Sequence, residues 1–325
     1  MPGLDIESIE RKLLGLLQRS FPLVSRPYCE LALELGVAES DVLDIIKGFR
    51  EKGLVRQISP VIDARRLGYQ STLIAVEVPA RELDRAEETL AQDPRISHAY
   101  ERDNKLNVWF TLSTSNGTDI EQEVRSLGSR MGADQAFSLP AVRLFKIGAF
   151  FGTEGEESVG HPGQVMPQKV ALSGEERKVV NVLQQDLPLT SSPFEEMAHE
   201  AGMTTDKLLS TCQTLIDRGV IRRFGASVNH RKAGYEGNGM ACWEVPAKSV
   251  ESVGQHLAAI EAVSHCYERR TNPSWQHNLF AMFHGGTPGA CSFLVKETTE
   301  RLGLPDYLLL FSTREIRKTR VKYLA

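Results

Sequence analysis

The sequence predicts an α+β protein in which one two-part module is written twice. Each copy is a winged helix-turn-helix followed by a ferredoxin-like βαββαβ sheet, and the two copies are expected to pair as an internal pseudo-dimer. Three observations carry this reading. Sliding the 325-residue chain by 166 positions lays ERKLLGLLQ (10–18) on ERKVVNVLQ (176–184) and EKGLVR (51–56) on DRGVIR (217–222), with 19 of 60 residues identical from Glu10 to Tyr69. One residue of slippage then aligns EVPA (77–80) with EVPA (244–247) and HAYER (98–102) with HCYER (265–269). Within each copy the apolar spacing changes from purely helical to a mixture of strands and helices.

Residues 1–62 read as the first winged unit. Ile9, Leu13, Leu16 and Leu17 share one helical face, Leu31 and Leu35 a second, and Val42, Ile45, Ile46 and Phe49 a third. Gly36 and Gly53 sit where helices should stop, and Ser40-Asp41, like Thr204-Thr205 in the second copy, can cap the third helix. Residues 63–151 read as the first sheet domain: strand 73–78, helix 82–92, strands 95–102 and 106–113, helix 119–131 and strand 136–146. The stretch 152–171 has Gly, Pro and charge without apolar period and reads as a linker. Residues 172–228 repeat the winged unit and 229–325 the sheet domain, with elements at 239–246, 249–260, 262–269, 278–284, 288–302 and 305–319.

A formal charge of −4 and a pI near 6.1 give no basic field for nucleic-acid phosphates. The candidate recognition helices agree, since Glu39, Asp41 and Asp44 lead the first and the second offers one Lys and one Gln. Nucleic acid is therefore disfavoured as a partner and both winged units read as scaffold. A DNA-binding regulator with a small-molecule effector is the competing class. Five scattered cysteines form no C-x-x-C pair, which points to reduced thiols and a cytoplasmic location. No apolar run of about 18 residues and no signal-peptide core occur, so no membrane partner is expected. No G-x-G-x-x-G, P-loop or G-x-S-x-G pattern occurs, and His265-Cys266 lacks ligand spacing, so neither a nucleotide cofactor nor a metal site is expected.

The chemistry gathers in the repeated H-x-Y-E-R. Alternate side chains of a strand share a face, so His265, Tyr267 and Arg269 point one way and Cys266 and Glu268 the other. His98, Tyr100 and Arg102 do the same, and two such faces meeting across a pseudo-dimer would line one pocket. Arginine forks suit carboxylates, tyrosine can orient them, and histidine moves protons near neutral pH. The loop TNPSWQH (271–277) is four residues longer than its counterpart, a flap that would bring Trp275 and His277 to the cavity. Arg270 and His284 flank the same elements. NHRKAGY (229–235) adds His230 and Arg231 where the first copy has DARRLGY (63–69), with Ala64 in the histidine's place.

Winged helix plus βαββαβ sheet resembles the Lrp/AsnC proteins over nearly all of both copies. More narrowly, HRKAGY, HCYER, W-x-x-NLFAMFHG and STREIRKTRVKYL resemble one subunit of siroheme decarboxylase, while ERD-x-x-x-NVWFTL and LPAVRLFKIG resemble the other. The chain thus resembles a fused form of that pair. The resemblance implies loss of the acetate carboxyls at ring carbons 12 and 18 of siroheme, giving didecarboxysiroheme and CO2 for haem synthesis, at a site between the two units. With that substrate, His265 and His230 are the candidate acids. Arg231, Arg269, Arg102 and Arg270 would grip carboxylates, Tyr267 and Tyr100 would orient them, and Trp275 would cover the ring. His277, His284 and His98 complete the expected substrate contacts. No cofactor is expected beyond the iron siroheme carries, with bound haem left open as a further ligand. Partners expected are siroheme, companion subunits of the same type and further copies of the chain in a homo-oligomer. One departure stands out: the first-subunit pattern carries a His after Arg-Asp, where this chain has Asn104-Lys105. That leaves the proton chemistry to second-copy histidines or to a companion.

Overall fold

In a computed structural model, residues 6–19, 21–147, 169–229, 237–304 and 306–324 are described. The first copy runs α1 (Ile6–Arg19), α2 (Pro27–Leu35), α3 (Glu39–Glu51), β1 (Val55–Ile62), β2 (Tyr69–Glu77), α4 (Leu83–Gln92), β3 (Ile96–Arg102), β4 (Val108–Ser115), α5 (Ile120–Met131), β5 (Gln135–Leu139) and β6 (Ala141–Ile147). The second runs α6 (Gly174–Leu183), α7 (Pro193–Ala201), α8 (Thr205–Asp217), β7 (Ile221–Val228), β8 (Gly237–Trp243), α9 (Val250–Ala258), β9 (Val263–Arg269), β10 (Leu279–Gly285), α10 (Pro288–Arg301) and β11 (Tyr307–Lys318). Most of the expected linker, together with His230 and Arg231, lies outside the described residues.

The element order follows the sequence reading, with two local corrections. The strand expected at 136–146 is split at Pro140, which has no N–H for a ladder. The third helix is entered through Ala38 rather than Ser40, and the Asp41 carboxylate accepts the Ala38 N–H at 3.1 Å. Thr204 caps α8 as expected, and Gly36 and Gly53 close their helices at φ 69° and 68°, a left-handed conformation that suits glycine.

The two copies are joined by exchanging their last strands. One nine-stranded sheet has the order β5-β2-β4-β3-β11-β8-β10-β9-β6. β11 pairs with β8 of its own copy up to Phe311 and with β3 of the other copy from Ser312 onward. The first copy mirrors this, β5 pairing with β2 at home and β6 with β9 across the join. Because only Pro140 separates β5 from β6, both ends of the order are one stretch of chain and the sheet closes on itself. Apolar anchors hold the exchange. Phe145 of β6 enters the second copy's core beside Trp243 and Phe283, and Ile316 of β11 packs on the first copy's core. Gly254 makes room for Phe145, since a Cβ there would collide with the ring.

Helices cover the outer faces, while the inner faces share a third core of Trp109, Leu139, Met240, Cys242, Phe280 and Leu310. The winged units also merge into one core, and β1 pairs antiparallel with β7 in a separate two-stranded sheet. This wing sheet is tied down over the closed sheet by Arg56 on Glu315 at 3.1 Å and by Arg320 on Ser59 Oγ.

Candidate active site

β3 and β9 position the two H-x-Y-E-R motifs. In each, a β-bulge falls where serine precedes the histidine, as the register slips between Ile96 and His98 and opposite Met282 and Phe283. A bulge turns consecutive side chains toward one another. Ser97 Oγ therefore meets His98 Nδ1 at 2.9 Å, and Ser264 Oγ meets His265 Nδ1 at 2.8 Å.

Beyond the bulge the expected alternation holds. On the outer side, Ala99 and Cys266 enter the helix-covered cores, Glu101 pairs with Arg314 at 3.0 Å, and Glu268 faces Arg143 at 3.4 Å. On the inner side, His265 stacks on Tyr267 with ring centroids 6.4 Å apart, and Arg269 lies 4.8 Å from the Tyr267 ring. Arg102 sits 5.7 Å from the Tyr100 ring in the same way. Arg102 Nη1 donates to the Leu310 carbonyl and Arg269 Nη1 to the Leu139 carbonyl, both at 2.8 Å. The Glu and Arg of each motif thus clasp the other copy's exchanged strand. Among the described residues neither inner guanidinium has a carboxylate partner, and each Nε is buried without an acceptor. Burial lowers both pKa values, that of Arg102 to about 10.

At the opposite end of these strands, His98 and His265 come within electrostatic reach of each other and of Lys318. His98 is open to solvent although protein groups crowd around it. Burial, then Lys318, then His265, Arg56 and Arg320 push the His98 pKa down to about 3. Burial, then Lys318, Arg269 and Lys146 push that of His265 down to about 4. The wing forms the facing wall. Arg56 and Arg320 act on His98, while Arg222 and Arg65 act on Tyr267. Against these cations stand Asp63, bonded to Arg65 at 3.0 Å and Arg222 at 2.8 Å, Glu315 on Arg56, and Asp186 farther along the wing. Burial lowers Arg320 to about 10. Together these groups carry a surplus of positive charge, suited to a polyanion.

Two expected substrate contacts lie away from the histidines. Trp275 is one. It is buried edge-on against Trp109 at 5.2 Å and stacked on Phe280 at 6.2 Å, plugging the arginine end of the closed sheet. Burying an indole there removes far more apolar surface from water than a flap could. His277 rests on Trp275 at 5.0 Å, half-buried, its pKa lowered chiefly by burial. Arg270 is the other: it is exposed, and its backbone N–H donates to the Pro140 carbonyl at the far end of the strand from His265. His284 is buried and reaches the site through Ser264, whose Oγ lies 2.7 Å from His284 Nε2. Ser264, Lys318, Arg56, Arg65, Arg222 and Arg320 were not among the expected site residues. Lys318 and Arg320 were signalled by the basic run REIRKTRVK, Arg65 by the DARRLGY match, and Arg56 and Arg222 by their equivalent places in EKGLVR and DRGVIR; Ser264 had no such signal.

Comparison with known proteins fits this geometry. The AsnC-like ligand binding domain matches residues 66–146 and 232–317, and the Siroheme decarboxylase NirDL-like HTH domain matches residues 10–56 and 176–222. A siroheme decarboxylase of Hydrogenobacter thermophilus is 38% identical over 313 residues, which is 96% of this chain and 94% of that protein. The chain belongs to the siroheme decarboxylase family. Within the family, the beta subunit of Methanosarcina barkeri is 40% identical over 145 residues, 45% of this chain and 95% of its own length, as a fused pair requires. The crystal structure of siroheme decarboxylase NirDL in co-complex with an iron-uroporphyrin III analogue aligns with a TM-score of 0.73 at 34% identity, covering 98% of this chain and 95% of that one. The motif-based resemblance is borne out for family and fold.

Proposed function

We propose that the chain decarboxylates siroheme, releasing the acetate carboxyls at ring carbons 12 and 18 as CO2 and leaving 12,18-didecarboxysiroheme. The observation that carries this reading is a convergence of charge: His98 and His265 lie within electrostatic reach of each other and of Lys318, with Arg56 and Arg320 acting on His98 and Arg65 and Arg222 on Tyr267. A flat ring edged with acetates and propionates complements the net positive charge of these groups.

Each acetate gains one proton and loses CO2, with no net oxidation, so no redox cofactor enters. The electron pair of the breaking C–C bond needs a sink, and protonation of the macrocycle at the substituted pyrrole carbon creates one. His265 supplies that proton in this reading, while Tyr100 and Tyr267 orient carboxylates and the cationic wall fixes the ring. His230 and Arg231 keep their sequence-based roles as second acid and carboxylate grip. In the unliganded site, burial and Lys318 keep His265 neutral. Carboxylates brought in by the substrate reverse that field and draw a proton to the histidine cluster. Anaerobic incubation with siroheme, alone and with companion subunits, tests the proposal. Two CO2 per macrocycle support it, and no release under either condition defeats it.

A further inference from the structure

Ser264 stands behind His265, between it and a second histidine. Its Oγ lies 2.8 Å from His265 Nδ1 and 2.7 Å from His284 Nε2, and both Ser264 and His284 are buried. The bulge in β9 turns Ser264 toward its neighbour, and β10 brings His284 across the strand pair with its N–H on the Ala262 carbonyl. A hydroxyl has one hydrogen, so with an imidazole nitrogen on each side it donates to one and accepts from the other. The protonation of the two rings is thereby coupled. When Ser264 donates to His265 Nδ1, the neutral His265 carries its hydrogen on Nε2, and His284 must carry one on its own Nε2. The first copy keeps the serine but not the second ring: Ser97 bonds His98, and Ser113 occupies the place of His284.

We propose that Ser264 and His284 form a proton relay behind His265, and that this relay makes His265, rather than His98, the acid of the reaction. The inference rests on the decarboxylase reading and deepens it. In the step, His265 Nε2 gives its hydrogen to the substrate carbon while Nδ1 takes the Ser264 hydrogen. Ser264 in turn takes the Nε2 hydrogen of a His284 imidazolium, which ends neutral. The C–CO2 bond breaks, CO2 leaves, and one proton has moved from His284 to the macrocycle for each acetate lost. A neutral imidazole alone is a very weak acid, and the site holds His265 neutral. Proton arrival at Nδ1 as Nε2 releases its own avoids an imidazolate. A second proton, taken up from solvent by neutral His284 between the two losses, serves the second acetate.

Ser264→Ala, Ser264→Thr and His284→Gln, each checked for folding by thermal unfolding, are compared with wild type on siroheme. The relay predicts a fall in kcat of about 10²–10⁴ for Ser264→Ala and His284→Gln with KM changed by less than about twofold. Ser264→Thr, which retains the hydroxyl, should recover to within about tenfold of wild type. His284→Gln keeps a hydrogen bond to Ser264 but cannot pass a proton, so wild-type kcat in that variant overturns the relay. Unchanged kcat in Ser264→Ala overturns it as well. An inactive wild type defeats the decarboxylase reading itself, which keeps the two failures distinct.

Discussion

Arg102 and Arg269 make the same bond in opposite directions, each reaching 2.8 Å across the join to a backbone carbonyl of the other copy, Leu310 in β11 and Leu139 at the end of β5 respectively. Each is a fastener, and each also holds a buried Nε without an acceptor. Replacing either by methionine removes a desolvated charge that costs several kcal/mol to bury, but leaves a carbonyl short of a donor at about 1–3 kcal/mol. The opposing effects predict a melting midpoint within about 4 °C of wild type. If both arginines also grip carboxylates, as the sequence-based assignment has it, siroheme affinity should fall by about 2 kcal/mol or more, roughly thirtyfold in Kd. Thermal unfolding and an absorbance titration read the two effects. A large loss of stability with unchanged Kd would make these arginines fasteners alone.

Phe145 tests the strand exchange separately from ligand binding. Its ring fills the second copy's core against Gly254 while its strand begins in the first copy. Phe145→Ala should cost about 3–5 kcal/mol in urea unfolding. A loss below about 1 kcal/mol would mean that β6 is not anchored there.

The histidine pair fixes the sign of an acid effect. The unfolded chain takes up protons near pH 6.5, whereas folded His98 and His265 do so only near 3 and 4. The stability their neutral rings contribute is complete above about pH 6.5 and declines as pH falls toward 4. Lys318, Arg269, Lys146, Arg56 and Arg320 face the pair and sustain the shift. Urea midpoints of wild type should therefore drop more between pH 7 and 4.5 than those of His98→Gln/His265→Gln. Equal slopes would remove the pair as the cause. Siroheme binding should run the other way, taking up protons, and calorimetry in buffers of different ionisation heat reads that uptake directly.

The winged units should not read DNA. α3 opens with Glu39, bonded to Arg26, and with Asp41, while β1 and β7 are spent on each other. A low-salt mobility-shift assay is expected to show no sequence-selective complex, and a tight selective one would restore the regulator class.

The repeat, the element order and the inward face of H-x-Y-E-R were all legible in the sequence, because period and register are local properties of a chain. What His98 and His265 face was not. Lys318 and Arg56 are far apart in sequence and converge only through the exchange of β11 and the pairing of β1 with β7. The buried seat of Trp275 against Trp109 and Phe280 was not legible either, because loop length signals an insertion but not its direction. Ser264 was invisible because strand alternation turns it away from His265, and only the bulge brings the pair together.

The most direct test is mass spectrometry of the macrocycle after anaerobic incubation with siroheme, comparing wild type with His265→Ala. The account predicts that wild type yields a ring lighter by two CO2, with the variant slower by about 10²–10⁴. Unchanged siroheme from wild type, even with companion subunits supplied, would contradict the assigned activity. Equal rates in the two proteins would contradict the role of His265.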